Sequence, residues 1–201
     1  MSGAGQVPFV GLTGGIGAGK STALSALAEL GAATLSADAV VHELLGSDEV
    51  RDALVSRLGP EVLDPAGAVD RGAVASRVFE DAEDRSWLEG MLWPRVGARM
   101  VEWRAAVDAG EPRPEAAVVE VPLLFEAGME GVFDTTIVVV ADEPVRADRA
   151  QARGHAAVAE RTARQLSQEE KAARAGHVVR NDGSREELKA ELSRVLATIK
   201  D

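Results

Sequence analysis

The sequence predicts an α/β fold in which helices flank a five-stranded parallel sheet. Short apolar segments alternate with segments of helical periodicity, which is the pattern of a parallel sheet with crossover helices. Residues 136–140 are essentially continuously apolar, as a strand buried on both faces should be. A glycine-rich segment, residues 14–21, separates the first predicted strand from the first predicted helix, which is typical of phosphate-binding α/β proteins.

The first predicted unit is a strand, a loop and a helix. Residues 9–13 have the apolar pattern of a buried strand, and residues 22–30 have helical spacing that stops at Gly31. Between them, residues 14–21 match the phosphate-loop pattern of two glycines five apart, then Lys and Ser. Backbone N–H groups and the helix dipole favour an anion here, so the unit predicts a polyphosphate site. The alternative is a glycine-rich turn without a ligand.

The positions of the few lysines in the chain support the predicted polyphosphate site. The chain has 22 lysines and arginines, but only four are lysines, and Lys20 is the only one before Lys171. A compact ammonium group suits the β- and γ-phosphates of a nucleotide, and the hydroxyl of Ser21 can contact Mg²⁺.

The other predicted elements complete the sheet. The remaining strands are residues 33–36, 117–121 (ended by Pro122), 136–140 and, with the weakest pattern, 177–180. A final helix begins at Ser184, because Glu187 completes a capping box three residues later.

The interval after the second strand is too long for a simple crossover. It has helical periodicity over residues 50–58 and 71–79, followed by a pair of helices around Trp87 and Trp103, with Pro94 opening the second. We interpret it as a helical insertion that holds the second substrate. The three tryptophans, which include Trp93, are expected to fill space between these helices; stacking on a ligand is the alternative.

The interval before the last strand is basic within an acidic chain. Residues 146–174 contain seven basic and four acidic side chains, whereas the whole chain has a net charge of −11. We predict a helical lid over a small anionic ligand, and the net charge disfavours a nucleic-acid partner. Arg149 and Arg153 share one helix face and could both point into the cleft, unless that face is solvated and paired with acids.

Composition excludes several classes of protein. A chain of 201 residues can bury one core with a modest insertion. It has no cysteine, which excludes disulfides and thiolate chemistry. No apolar run approaches the roughly 20 residues of a membrane span, and the N-terminus lacks the pattern of a signal peptide, so we expect a cytoplasmic location.

Two carboxylates stand out. Asp38 follows the second strand at the edge where open parallel sheets bind ligands, and it could accept the proton of an attacking hydroxyl or hold a metal-bound water. Its alternative role is an N-cap of a helix over residues 39–45. Glu120 lies inside an apolar strand, which suggests pairing with a cation or a metal-bound water. The three histidines have no mutual metal-ligand spacing.

As a set, these motifs resemble the dephospho-coenzyme A kinase family over nearly the whole chain. The resemblance is carried by residues 11–22, 30–31, 37–38, 67, 69–71, 78–79 and 122–126, and by Arg149, Arg153, Arg161, Gln165 and Asn181. Ser36, Trp93 and Gly176 depart from it, since the family usually has Asp, His and Asp at these places. The phosphate loop is intact, so an active enzyme, with altered affinity at most, is expected.

The resemblance implies a P-loop kinase fold with a helical substrate-binding insertion and a helical lid, as one domain over residues 1–201. The core would be residues 7–38, 115–145 and 177–201, the insertion about 39–114 and the lid about 146–176. The implied reaction transfers the γ-phosphate of ATP, with Mg²⁺, to the 3′-hydroxyl of the ribose of dephospho-CoA, which is the last step of coenzyme A biosynthesis. We expect these two small-molecule substrates, a monomer or small homo-oligomer, and no nucleic-acid or membrane partner.

Site residues follow from the motifs and the resemblance together. The catalytic residues would be Lys20 and Asp38. The ATP-binding residues would be Gly14, Gly15, Ile16, Gly17, Ala18, Gly19, Lys20, Ser21, Thr22, Arg149 and Asn181, with Ser21 as the Mg²⁺ contact. The dephospho-CoA-binding residues would be Asp38, Arg71, Pro122, Leu123, Phe125 and Arg153.

Two other functions stay open. Another P-loop small-metabolite or nucleoside monophosphate kinase would share the loop and lid but not the motif at residues 122–126. A nucleotide-dependent switch protein would need a guanine-binding motif, which the sequence lacks, and the Asp-x-x-Gly match at residues 64–67 follows no predicted strand.

Overall fold

The computed structural model describes residues 6–152 and 165–200. Arg153, Arg161 and Arg164 of the predicted lid lie outside these ranges. The chain forms two compact units, one of Met1–Ser36 with Arg104–Asp201 and the other of Ala37–Trp103. The bounds of the core, insertion and lid given above stay a prediction.

The first unit contains a five-stranded sheet. Its strands are β1 (Phe9–Gly14), β2 (Ala33–Ser36), β3 (Ala117–Glu120), β4 (Thr135–Val140) and β5 (His177–Arg180). They lie in the order β2-β3-β1-β4-β5, and every neighbouring pair is parallel. The predicted α/β class with a parallel sheet is confirmed, and each predicted strand boundary is within one residue of the observed one.

The central strands of the sheet are buried, as their apolar sequence predicts, and one face of the sheet packs against two helices. Val118 and Ile137 have no exposed surface, and they pack with Leu27 and Leu192 in one cluster. Leu27 lies on α1 (Lys20–Glu29) and Leu192 on the C-terminal helix, α8 (Arg185–Lys200). Since β1 lies between β3 and β4, the phosphate loop that follows it opens near the middle of the carboxyl edge of the sheet.

Two helix starts show how the local sequence sets the boundaries. α1 begins at Lys20, two residues before the predicted start, because Gly19 occupies the N-cap and the Lys-Ser pair forms the first turn. α8 has the predicted capping box, in which Ser184 Oγ accepts from the N–H of Glu187 and the N–H of Ser184 donates to Oε2 of Glu187. The bond from this backbone N–H is the main reason why the pKa of the Glu187 carboxyl is below its ordinary value.

The second unit is helical. Its elements are α2 (Ala37–Leu45), α3 (Asp48–Leu58), α4 (Arg71–Glu80) and the first part of α5 (Ala82–Ala109). Leu54, Val62 and Leu92 form part of its core, and Trp87 packs against them as predicted. Trp93, in contrast, is 54% exposed. In the first unit, α6 (Glu143–Ala152) and α7 (Gln168–Arg174) lie on either side of the gap in the described residues.

The prediction of two helices around Pro94 was wrong. α5 is a single helix of 28 residues with Pro94 inside it. A proline removes one backbone bond and crowds the preceding turn. Here Gly90 has no side chain in that turn, and the guanidinium Nη1 of Arg95 donates to the carbonyl oxygen of Met91 at 2.8 Å. The bond that Pro94 cannot make is the one to the Gly90 carbonyl, so the Arg95 contact supports the next carbonyl of the same turn, and the helix continues where the sequence alone indicates a break.

Replacing Pro94 should therefore stabilise the protein. Pro94→Ala restores an N–H inside α5, and we expect the free energy of unfolding in urea to rise by about 1–3 kcal/mol. Gly97→Ala is the matched control, since an added Cβ there meets no atom within 4 Å, and it should add about 0.5–1 kcal/mol. A lower stability for Pro94→Ala than for wild type would contradict this account.

Candidate active site

The phosphate loop adopts a conformation that its glycines permit. Gly17 and Gly19 have φ angles of +78° and +95°, in the left-handed region. A Cβ at Gly19 would also collide with the side-chain amide of Asn181, and one at Gly17 would collide with the backbone of Arg146. The two glycines are therefore required both by backbone geometry and by close packing.

Lys20 and Ser21 form the start of α1 beside this loop. Lys20 Nζ donates to the carbonyl oxygens of Gly14 at 2.9 Å and Gly15 at 3.2 Å, so the ammonium group lies against the loop. Ser21 is exposed in the first turn, and that turn contains no acidic residue. A helix N-terminus with an adjacent ammonium group and no carboxylate in its first turn is favourable for a polyphosphate.

Arg149 and Asn181, two residues of the predicted ATP-binding set, lie beside the same loop. The buried Asn181 side chain donates through Nδ2 to the carbonyl oxygen of Ala18 at 2.8 Å. Arg149 Nη1 donates to the backbone oxygen of Asn181 at 2.9 Å. The end of β5 and helix α6 therefore converge on the phosphate loop, and two cofactor residues predicted from distant parts of the sequence are neighbours.

Arg146 also lies against the phosphate loop, although it was not among the predicted site residues. Its Nε donates to the carbonyl oxygen of Ile16 at 3.0 Å, across 130 residues of sequence. Its side chain is 14% exposed and also pairs with Glu143 at 2.7 Å. The only sequence signal was its place in the basic segment, because nothing local shows that one arginine of a helix reaches the phosphate loop.

A cavity of about 740 Å³ opens beside the loop. Gly15, Arg146 and Arg180 line it, together with residues 140–143 and 165–170. Its size is in the range of small-molecule sites, and three of its walls come from the carboxyl ends of β4 and β5 and from α6. The described residues therefore place a ligand-sized space next to the phosphate-binding geometry.

The segment after β3, residues 122–126, is here named the Pro122 loop. It leaves the sheet beside β1, where the N–H of Val121 donates to Leu12 O at 2.9 Å and Thr13 Oγ1 donates to Pro122 O at 3.3 Å. Pro122 and Leu123 are partly exposed, whereas Phe125 is buried. Of the predicted acceptor residues in this loop, Pro122 and Leu123 therefore have exposed surface, and the Phe125 side chain has almost none.

Glu120 has a hydroxyl donor on the neighbouring strand. It is 5% exposed, and its Oε2 accepts a hydrogen bond from Ser36 Oγ at 2.7 Å. The two residues are direct partners in the pairing of β2 with β3. An aspartate at position 36 would set a second carboxylate against Glu120, so the departure at Ser36 replaces repulsion with a hydrogen bond.

Asp38 and Arg71 belong to the helical unit. α2 begins at Ala37, directly after β2, so Asp38 lies exposed in its first turn rather than at its N-cap. Arg71 is the first residue of α4 and is exposed. Asp70 caps that helix, accepting from the N–H groups of Gly72 and Ala73 at 2.8 and 3.1 Å.

The described part of the chain contains neither a metal-binding cluster nor a membrane-spanning helix. No three His, Asp or Glu side chains within residues 6–152 and 165–200 cluster as a metal-binding group. No helix in those ranges combines the length and apolar character needed to cross a bilayer. Arg153, predicted to bind the acceptor, lies outside the described residues.

The family model and the curated relatives name one family. A family model described as dephospho-CoA kinase matches residues 8–187. The dephospho-CoA kinase of Moorella thermoacetica is 40% identical over 190 residues, covering 92% of this chain and 88% of that protein. A crystal structure of a Thermus thermophilus protein superposes with a TM-score of 0.78 at 35% identity, covering 96% of this chain and 98% of that one. The dephospho-CoA kinase of Campylobacter jejuni gives a TM-score of 0.69 at 26% identity, covering 94% and 96%.

Gly19→Ala should abolish the phosphate-binding geometry. The substitution forces a side chain into a left-handed conformation, at a cost of about 1–2 kcal/mol, and against the Asn181 amide. We expect the affinity for a nucleoside triphosphate, measured by calorimetric titration, to fall by more than about tenfold, which corresponds to about 1.4 kcal/mol.

Gly67→Ala is the matched control for this substitution. Gly67 also has a positive φ, +81°, but no atom lies within 4 Å of an added Cβ. Gly67→Ala should lower the free energy of unfolding by a similar amount, because it also places a side chain in a left-handed conformation. It should leave the affinity for the triphosphate unchanged. Equal affinities for Gly19→Ala and wild type would refute the assigned role of this turn.

Proposed function

The chain belongs to the dephospho-CoA kinase family, and we infer from this premise that it is an ATP-dependent kinase that phosphorylates dephospho-CoA. The product is coenzyme A, so the reaction is the last step of coenzyme A biosynthesis. The observation that carries this function is the family match over residues 8–187, which includes both the phosphate loop and the Pro122 loop. The site geometry supports the more detailed roles proposed below.

On the donor side, the phosphate loop would hold the triphosphate of ATP through its backbone N–H groups. Lys20, which now donates to Gly14 and Gly15, would turn its ammonium group toward the β- and γ-phosphates and stabilise the charge that develops during transfer. Arg146 lies close enough to the loop to add a second cation. Arg149 and Asn181 would flank the adenine.

The residues present also fit Mg²⁺. This ion keeps several waters and is usually bound by phosphates with one or two protein oxygens, so it needs no protein cluster. The exposed hydroxyl of Ser21 in the first turn of α1 would supply such an oxygen. When bound, Mg²⁺ neutralises charge on the β- and γ-phosphates.

On the acceptor side, Asp38 would accept the proton of the ribose 3′-hydroxyl as it attacks the γ-phosphorus. Its carboxylate is exposed and therefore available to a ligand. The dephospho-CoA site would be lined by Arg71, Pro122, Leu123, Phe125 and Arg153. Phe125 would contribute its backbone, because its side chain is buried.

We also propose a cytoplasmic enzyme that acts as a monomer or small homo-oligomer.

An acceptor panel tests the function. With ATP and Mg²⁺, coupled assays of ADP release should give the highest kcat/KM for dephospho-CoA. Nucleoside monophosphates, shikimate and gluconate are the control acceptors, since other kinases with this loop act on such compounds. A higher kcat/KM for any of them would reject the proposed acceptor.

Asp38→Asn should lower kcat by about 10²- to 10⁴-fold and leave the dissociation constant of ATP unchanged, because the group would act on the acceptor. Steady-state kinetics and ATP titration measure the two quantities. Asp48→Asn is the matched control, since Asp48 is likewise an acidic residue in the first turn of a helix of the same unit. If both variants have a lower melting temperature and a normal kcat, Asp38 only stabilises helix α2 and does not act on the acceptor.

A further inference from the structure

Lys171 is a charged side chain with no exposed surface. A buried ammonium group is costly unless it is paired and hydrogen-bonded. Its Nζ lies 2.9 Å from Oε1 of Glu126 and donates to the carbonyl oxygen of Pro122 at 3.1 Å. Both partners belong to the Pro122 loop, so helix α7 reaches this loop through a fully buried cation.

The Pro122 loop depends on such side-chain contacts. Pro122 has no N–H to donate, and the described bonds of the following residues are turn bonds, such as that from the N–H of Ala127 to Leu123 O at 2.9 Å. A second cation of α7, Arg174, donates through Nη1 to Phe125 O at 3.4 Å. Two carbonyls of the loop are therefore held by side chains from α7.

Helix α7 is itself attached to the sheet. Gln168 accepts from the N–H of Ala141 at 3.0 Å through Oε1 and donates to Ala141 O at 2.9 Å through Nε2. This two-bond contact fixes the helix at the end of β4. Glu126 also accepts from the N–H of Leu166 at 2.8 Å. Lys171 therefore projects from a fixed helix into the loop.

The pair is not built for stability alone. Glu126 Oε2 is buried and has no hydrogen-bond partner among the described residues. An ion pair with an unsatisfied buried oxygen stabilises a fold no better than well-packed apolar side chains of similar volume. What the ion pair provides instead is a fixed arrangement of helix α7 and the Pro122 loop. The Pro122 carbonyl oxygen accepts hydrogen bonds from both Lys171 and Thr13, the residue before Gly14.

We propose that the Lys171–Glu126 ion pair positions the Pro122 loop for the acceptor. The inference rests on the proposed function, in which this loop lines the dephospho-CoA site. Lys171 and Glu126 are positioning residues, since they act through the loop and need not touch either substrate. The pair controls the KM for dephospho-CoA, whereas the ATP site depends on Asn181, Arg146 and Arg149.

Glu126→Gln, Lys171→Met and the double variant test the proposal in the full-length enzyme. Each single variant should raise the KM for dephospho-CoA by about tenfold or more, because a buried charge left without its partner is costly and should displace the Pro122 loop, with the KM for ATP within about twofold of wild type. The double variant should raise it no further than the worse single variant, because contacting residues are not additive. If Lys171→Met does not fold, Glu126→Gln carries the test, since its amide oxygen still accepts from Leu166.

Leu192→Ala is the control for lost stability. Leu192 has no exposed surface and lies on the core-facing side of α8, so this variant should melt earlier with both KM values unchanged. The proposal is overturned by unchanged KM values in Glu126→Gln, by equal rises for both substrates, or by the same rise in Leu192→Ala. A wild-type enzyme without activity on dephospho-CoA would overturn the proposed function together with this inference, whereas unchanged KM values in an active enzyme would overturn the inference alone.

Discussion

The phosphate site depends on one close contact, the hydrogen bond from the Asn181 amide to the Ala18 carbonyl at 2.8 Å. It is possible because Gly19 has a left-handed conformation and no side chain, so the amide can lie directly against the loop. Ala18 and Asn181 are 163 residues apart. The described shape of the loop therefore includes a contact with the residue that follows β5, so the proposed nucleotide site draws on both ends of the chain.

The same region concentrates positive charge in an acidic protein. The chain has a net charge of −11, but Lys20, Arg146 and Arg149 surround a loop whose helix has no acid in its first turn. A local cationic site attracts small polyanions, whereas the overall negative charge disfavours extended ones such as nucleic acids. This arrangement suits the family's two substrates, which both carry phosphates.

The register of β2 and β3 explains why serine at position 36 is compatible with the sheet. In the sequence alone, Ser36 appears as the loss of a carboxylate next to Asp38. In the sheet, Ser36 is the direct partner of Glu120 and donates to it at 2.7 Å. The carboxylate at this edge comes from the neighbouring strand, and a hydroxyl is the residue type that can face it without repulsion.

The sequence by itself determined the five strands, the phosphate loop and the capping box at Ser184, because each depends on residues close together in the chain, and the alternation of strands with helices indicated a parallel sheet. Only the tertiary structure decided that α5 continues through Pro94, that Arg146 reaches Ile16, and that Lys171 is buried against Glu126. Periodicity cannot show these features, since each depends on how a side chain finds a partner after folding. Local patterns encode backbone conformation and burial, whereas the pairing of distant polar groups is set by the packing of the elements that carry them.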